Sequence, residues 1–271
     1  MSHVTIGVSE RPPLGKWIPL SFQHVFAMFG ATVLVPMLTG LSPSAALFAA
    51  GSGTLIYIAI TGAKVPAFLG SSFAFIPAII GVSSAYGMEY ALGGAVVAGL
   101  FYTLVALLVR QVGTKWLDRV LPPVVIGSVI IVIGLNLAPT AMGMAMNDVN
   151  GNYSLVLLSI AAFTLLVAIV ATIFFKGFFN VIPILIGLAA GYVFTLIMGV
   201  FFPAYKLIDF TVVKEASWFS LPTFTMPKFG LTAALTFVVV SLATICEHLG
   251  DIMVTSRVVG KDFYKDPGLH R

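Results

Sequence analysis

The sequence predicts an all-α polytopic membrane protein, and three observations predict it. Only 9% of the 271 residues are charged while 59% are hydrophobic, against about 25% charged in a soluble domain. The mean hydropathy is +1.06, so the chain has too little polar material to cover a water-facing surface. Apolar runs of about 20 residues, the length that crosses a bilayer, recur eight times. They lie near 18–38, 42–62, 65–86, 89–109, 120–138, 154–175, 181–202 and 230–254.

The connecting segments carry the charge, and its distribution sets the expected orientation. Residues 1–17 are polar, with Glu10, Arg11, Pro12, Pro13 and Lys16. They lack the short apolar core and small-residue cleavage site of a signal peptide, so the first span is expected to be its own insertion signal. One side of the eight-span scheme collects Arg11, Lys16, Lys64, Arg110, Lys115, Arg119, Lys176, Arg257, Lys261, Lys265 and Arg271. The other holds only Lys206, Lys214 and Lys228. This asymmetry predicts a multi-pass protein of the inner (cytoplasmic) cell membrane with its N-terminus in the cytoplasm. The turn at Asn147–Asn152 and the 203–229 loop then face outward. That loop, with Trp218, Phe219 and Phe224, is expected to hold a short interfacial helix.

The same distribution argues against nucleic acid as a partner, because the net charge of +4 is dispersed between apolar runs. The lone Cys246 excludes an intramolecular disulfide. No metal-ligand cluster, phosphate-binding glycine loop or nucleophile elbow is present in the sequence. Neither an enzyme nor a bound cofactor is expected.

Function is sought where the membrane pattern breaks. In the third span, Pro66 and Pro77 bracket a Gly70-Ser71-Ser72 core, which disfavours continuous helix. The run from Phe68 to Ile76 suits extended backbone, tolerable at membrane depth only where it is buried in protein or lines a cavity. A kinked helix whose small residues admit a close neighbour is the equal alternative on pattern alone. In the eighth span, Thr244, Glu247, His248, Asp251 and Thr255 recur at spacings of three and four, and so share one helix face. Two carboxylates one turn apart are costly in lipid, so this face is expected to meet a bundle interior and to handle a proton. Asp251 could instead sit at the helix end, solvated or paired with Arg257. Glu247 has no such alternative nearby.

Gln23-His24 in the first span echoes Glu247-His248, as half-sites of inverted repeats do, although a lone intramembrane histidine is as often a packing residue. Asn136 with Pro139, and Asn180 with Pro183, read as helix-end chemistry. Gly93, Gly94 and Gly99, and Gly187 with Gly191, read as packing faces.

At Gln23-His24, at the run from Lys64 to Ile76, and at Glu247-His248-Leu249-Gly250-Asp251, the sequence resembles the nucleobase–cation symporter-2 family in its bacterial uracil-permease branch. The family is also called the nucleobase–ascorbate transporters. Gly70-Ser71-Ser72 and Glu247-His248 differ from the Gln-Gly-Ser and Glu-Ser types usual in the purine branch.

The resemblance implies fourteen spans in two inverted seven-helix repeats, with short antiparallel strands in the third and tenth spans meeting at the substrate. It divides this chain into a cytoplasmic segment 1–17, core spans at 18–109 and 230–256, and gate spans at 110–202. An outer loop at 203–229 and a cytoplasmic end at 257–271 complete the division. It gives Glu247 the ring N–H groups of a base, the Phe73 amide a substrate carbonyl, and Ser72 with the Phe73 ring the pocket shape. Asp251, with Glu247, takes the proton, which is the coupling ion in place of a cofactor. Gln23, His24, Ser71 and His248 support the site.

The implied activity is proton-coupled uracil uptake. Uracil or a related nucleobase, membrane lipid and a second copy in a homodimer are the expected partners. A purine or xanthine symporter of the same family and a non-transporting membrane fragment are the alternatives. The family pattern continues beyond Arg271 through six more spans, including a second acidic ligand. These 271 residues are therefore expected to hold half of the site and not to transport alone.

Overall fold

A computed structural model describes residues 7–8, 10–148, 150–176, 179, 182–203, 207–217 and 221–271. Asn180, Lys206, Trp218 and Phe219 lie outside the described residues. The helices are α1 (Leu14–Thr39), α2 (Pro43–Thr61), α3 (Ile76–Tyr86), α4 (Met88–Val112), α5 (Lys115–Val120) and α6 (Pro123–Met146). They continue as α7 (Leu155–Phe174), α8 (Pro183–Phe201), α9 (Thr211–Glu215) and α10 (Leu231–Val259). Six of them, α2, α4, α6, α7, α8 and α10, are long and apolar enough to cross a membrane. The third expected span contributes only the shorter apolar stretch Phe73–Tyr86, and α1 is helical from residue 14 to 39 without being among the six.

The boundaries follow local chemistry. Ser42 caps α2 by accepting from the Ala45 amide at 3.4 Å, with Pro43 at the first helical position. Ser154 caps α7 through the Leu157 amide at 3.3 Å. Gly87, at φ +100°, makes the turn between α3 and α4 that an L side chain would resist. Two expectations at helix ends are overturned. Asn136 and Pro139 do not close the fifth span, because α6 continues through Pro139 to Met146. Membrane helices tolerate an internal proline when neighbouring groups take up the freed carbonyl. The eighth span likewise runs to Val259, two turns beyond Asp251.

The chain divides into two compact units. The first comprises residues 1–18, 28–135 and 222–271, and its centre is α10 packed along α4, with α3 against both. Phe237 is fully buried against Ala78, Ile79, Val82, Ala91 and Ala98. Gly94 makes this possible, since a Cβ there would overlap the Phe237 ring. Gly93 lets the backbone of Lys228 lie directly on α4. The Lys228 amide donates to the Glu89 carbonyl at 2.9 Å, and its ammonium pairs with the Glu89 carboxylate at 3.0 Å. That hydrogen bond raises the Lys228 pKa. Gly99 meets open space and is not part of the packing face expected of it.

After α10 the chain folds back. Phe263 is buried with Val65 and Ile252, the Tyr264 hydroxyl donates to the Leu249 carbonyl at 3.0 Å, and Asp266 pairs with Lys64.

The second unit comprises residues 19–27 and 136–221. Its main contact is α7 against α8, where Gly187 and Gly191 admit Ala168 and Thr164, as expected of small residues between membrane helices. Phe163 and Phe194 stack at 4.3 Å across the pair. Between α6 and α7 the Asp148 carboxylate accepts from the Asn150 and Asn152 amides, both at 2.9 Å, which forms the expected turn. The short helix α9 lies in the loop where one was expected.

Candidate functional site

The third span is not a continuous helix, and its form decides between the two readings that its prolines left open. Pro66 keeps Val65 out of the helical region, and residues 66–72 run as open backbone until Ser72, at φ −84° and ψ 130°, starts a 3-10 turn over Phe73–Phe75 that leads into α3. The extended strand expected here does not form among the described residues. A strand needs a ladder partner for its amides and carbonyls, and the described β pairing is confined to an isolated bridge between Asn147 and Tyr153.

The open segment is held by side chains instead. The Thr54 hydroxyl of α2 accepts from the Leu69 amide at 3.0 Å. It sits 2.7 Å from its own helix's Ala50 carbonyl and 3.4 Å from that of Leu69. On the other side, Phe75 stacks on Phe237 of α10 at 5.6 Å.

This arrangement brings the two sequence anomalies together. The Ser72 hydroxyl donates to Glu247 Oε2 at 2.8 Å, across 175 residues of chain. Ser72 Oγ also accepts from the Ala74 amide at 3.3 Å. Glu247 and Ser72 are half-buried, as are Ser71 and Phe73. Among the groups left without a hydrogen-bond partner here are Glu247 Oε1 and the Phe73 amide, the latter one of the donors that every helix start leaves without an internal partner. An acceptor and a donor are thus offered on neighbouring elements, which is a hydrogen-bonding pair for a small planar polar molecule.

The remaining predicted residues fall around this pair to different degrees. His248 is half-buried and lines a small cavity with Tyr57, Thr61, Val65 and Phe263. Asp251 is exposed, and no hydrogen bond or ion pair reaches it among the described residues. Its pairing with Arg257 is not formed, since that guanidinium lies against the Met253 sulfur at 4.0 Å. Gln23, half-buried, and His24, exposed, lie on α1 within the second unit.

Two contacts escaped the sequence reading. The Tyr102 hydroxyl of α4 donates to Thr244 Oγ1 at 2.7 Å, one turn before Glu247, and Thr244 in turn donates to the Ser241 carbonyl at 3.1 Å. This link fixes the rotation of α10 against α4. The other is Thr54. A tyrosine within a leucine-rich span was a usable signal for the first; nothing marked Thr54.

Residues 15–271 match the model of the Permease family, nearly the whole chain. The chain belongs to the nucleobase–cation symporter-2 family. It is similar to the uracil permease of Bacillus subtilis (strain 168), 49% identical over 280 residues, covering 99% of this chain and 62% of the relative. The uracil permeases of Bacillus caldolyticus and Escherichia coli (strain K12) are 46% and 44% identical, each covering 100% of this chain and 62% of the relative. The chain therefore spans about three-fifths of the length of these relatives. Symporter-2 family membership together with six apolar helices makes this a multi-pass membrane protein. In this family member the motif from Lys64 to Ile76 and the motif from Glu247 to Asp251 come from one compact unit and meet at Ser72 and Glu247.

Proposed function

We propose that this chain carries the uracil-binding half of a proton-coupled uracil importer. The observation that carries the proposal is the Ser72–Glu247 hydrogen bond. It orients one carboxylate oxygen by occupation and leaves the other as acceptor, beside the Phe73 amide as donor. A pyrimidine edge that presents a ring N–H next to a carbonyl is complementary to that pair. The names of the relatives, uracil permease in each case, supply the choice among such ligands. An anion is disfavoured, because the site offers two acids and no lysine or arginine.

Asp251, one turn along α10, is the proposed proton carrier, and its exposure suits exchange with a water-filled path. Protonation from an outside that is usually more acidic then drives entry. Core spans at 18–109 and 230–256 move relative to gate spans at 110–202 in this reading, within a fourteen-span assembly whose N-terminus is cytoplasmic and whose second repeat supplies the other acidic ligand.

The test uses labelled uracil in vesicles carrying the full-length protein, with and without an imposed proton gradient. Glu247→Gln is expected to lose both binding and uptake. Asp251→Asn is expected to keep binding and lose acceleration by the gradient. Unchanged uptake in Glu247→Gln refutes the site; gradient-driven uptake in Asp251→Asn refutes the coupling role.

A further inference from the structure

Glu247 has a fixed reference on a neighbouring helix. Among the described residues, the side-chain hydrogen bond that joins α10 to α4 runs from the Tyr102 hydroxyl to Thr244 Oγ1 at 2.7 Å. Thr244 is 5% exposed and donates its own proton to the Ser241 carbonyl at 3.1 Å. Its oxygen is thereby oriented as an acceptor toward Tyr102. Glu247 follows three residues later on the same helix face, about 4.5 Å along the axis.

The other contacts in this stretch leave rotation open. Ile245, Cys246 and Leu249 of α10 pack in one cluster with Phe101, Val105 and Val109 of α4, and such apolar contacts have no preferred direction. The steric stop at Gly94 grips Phe237, about 15 Å before Glu247 along the axis. The Tyr264 hydroxyl also reaches α10, at the Leu249 carbonyl, but Tyr264 belongs to the continuation of α10 and gives no reference to α4. A helix with its side chains is about 5–6 Å in radius, so a rotation of about 10° carries a carboxylate roughly 1 Å. A binding group must be held within about 0.5 Å of its working position. A hydrogen bond, whose usable range is about 0.5 Å, meets that tolerance; sliding apolar surfaces do not.

We propose that Tyr102 is a positioning residue for uracil binding: its bond to Thr244 sets the rotation of α10 at which Glu247 meets Ser72 on one side and the base on the other. The inference rests on the reading of Glu247 as the ligand of the base. Tyr102 acts only through the helix, since its hydroxyl bonds Thr244 while the Glu247 carboxylate takes its bond from Ser72. Without the Tyr102 bond, α10 samples neighbouring rotations, and the carboxylate faces the base for only part of the time.

The experiment is a mutant cycle on the full-length protein, with the uracil Kd and the melting temperature measured on the monodisperse fraction of each variant. Tyr102→Phe keeps the ring and loses the bond, and is expected to weaken uracil binding about fivefold. Thr244→Val is expected to weaken it by the same factor, and Thr244→Ser, which keeps the acceptor oxygen, to bind as wild type does. The Tyr102→Phe, Thr244→Val double variant is expected to bind no worse than either single one, because both remove one and the same bond. Val105→Ala, which loosens the apolar packing beside Tyr102, is expected to lower the melting temperature and leave the Kd unchanged. A Kd unchanged in Tyr102→Phe overturns the inference, whatever happens to the melting temperature. So do losses that multiply in the double variant, or a Thr244→Ser loss equal to that of Thr244→Val. Glu247→Gln separates the two levels. If it abolishes binding while Tyr102→Phe binds normally, the positioning role alone fails; if it binds uracil normally, the reading of Glu247 fails and this inference with it.

Discussion

Ser72 has two jobs in one hydroxyl: it accepts the Ala74 amide that starts the 3-10 turn and donates to Glu247. A hydrogen bond to a charged group contributes about 1.5–3 kcal/mol, and here its main effect is to hold the carboxylate in one rotamer. Ser72→Ala is therefore expected to weaken uracil binding by roughly tenfold, about 1.4 kcal/mol, with little change in melting temperature. Calorimetric titration of the full-length protein in detergent checks this, and an unchanged Kd removes Ser72 from the site. Glu247 and the Gly70-Ser71-Ser72 core stood out in the sequence because each breaks a membrane rule, one as a charge in an apolar helix and the other as a proline-flanked polar stretch; that Ser72 donates to Glu247 is visible only in the fold. Thr54 broke no rule. Threonine in a spanning helix commonly satisfies itself on the preceding turn, so only the fold reveals that Thr54 also accepts from Leu69.

The packing of α4 against α10 depends on which glycines face the neighbour. Gly93 and Gly94 lie under Lys228 and Phe237, whereas Gly99 lies under nothing. Gly93→Ala must push a backbone carbonyl aside, an overpacking cost of about 1–3 kcal/mol. Gly99→Ala should gain up to about 1 kcal/mol of helix propensity. Thermal unfolding of the two variants should move in opposite directions, and a shared direction would contradict the packing described. The sequence grouped all three glycines on one face, because spacing gives a face but not the register at which a neighbour stops. It also ended the fifth span at Pro139, where propensity predicts a stop but the helix continues to Met146. The break in the third span was legible from Pro66 and Pro77; its final form was not. Open backbone becomes strand or coil according to a partner that local sequence does not contain.

The topology proposed from the alternation of basic residues gives the molecule a sidedness that chemical labelling can test. Cys246 is buried at 4% exposure, so cysteines introduced elsewhere report with little background. In sealed right-side-out vesicles, Asn150→Cys is expected to react with an impermeant maleimide, and Lys261→Cys only after permeabilisation. Equal labelling of both from outside would invert or abolish the proposed topology. Span count was mostly legible by length and hydropathy, and six of the eight expected segments meet that standard as intact helices. The third is shortened by the open backbone over 66–72, and α1 is helical without being among the six.

The fold-back after α10 gives assembly a timetable. Lys64, at the start of the broken span, finds its ionic partner in Asp266, 202 residues later. At about 5–20 residues per second of synthesis, some 10–40 s separate the two. The Thr54–Leu69 contact, only 15 residues apart, closes almost at once. The broken span is therefore tethered at Leu69 early, and its entrance gains the Asp266 pair and the Phe263 packing on Val65 only when the chain beyond α10 has emerged from the ribosome.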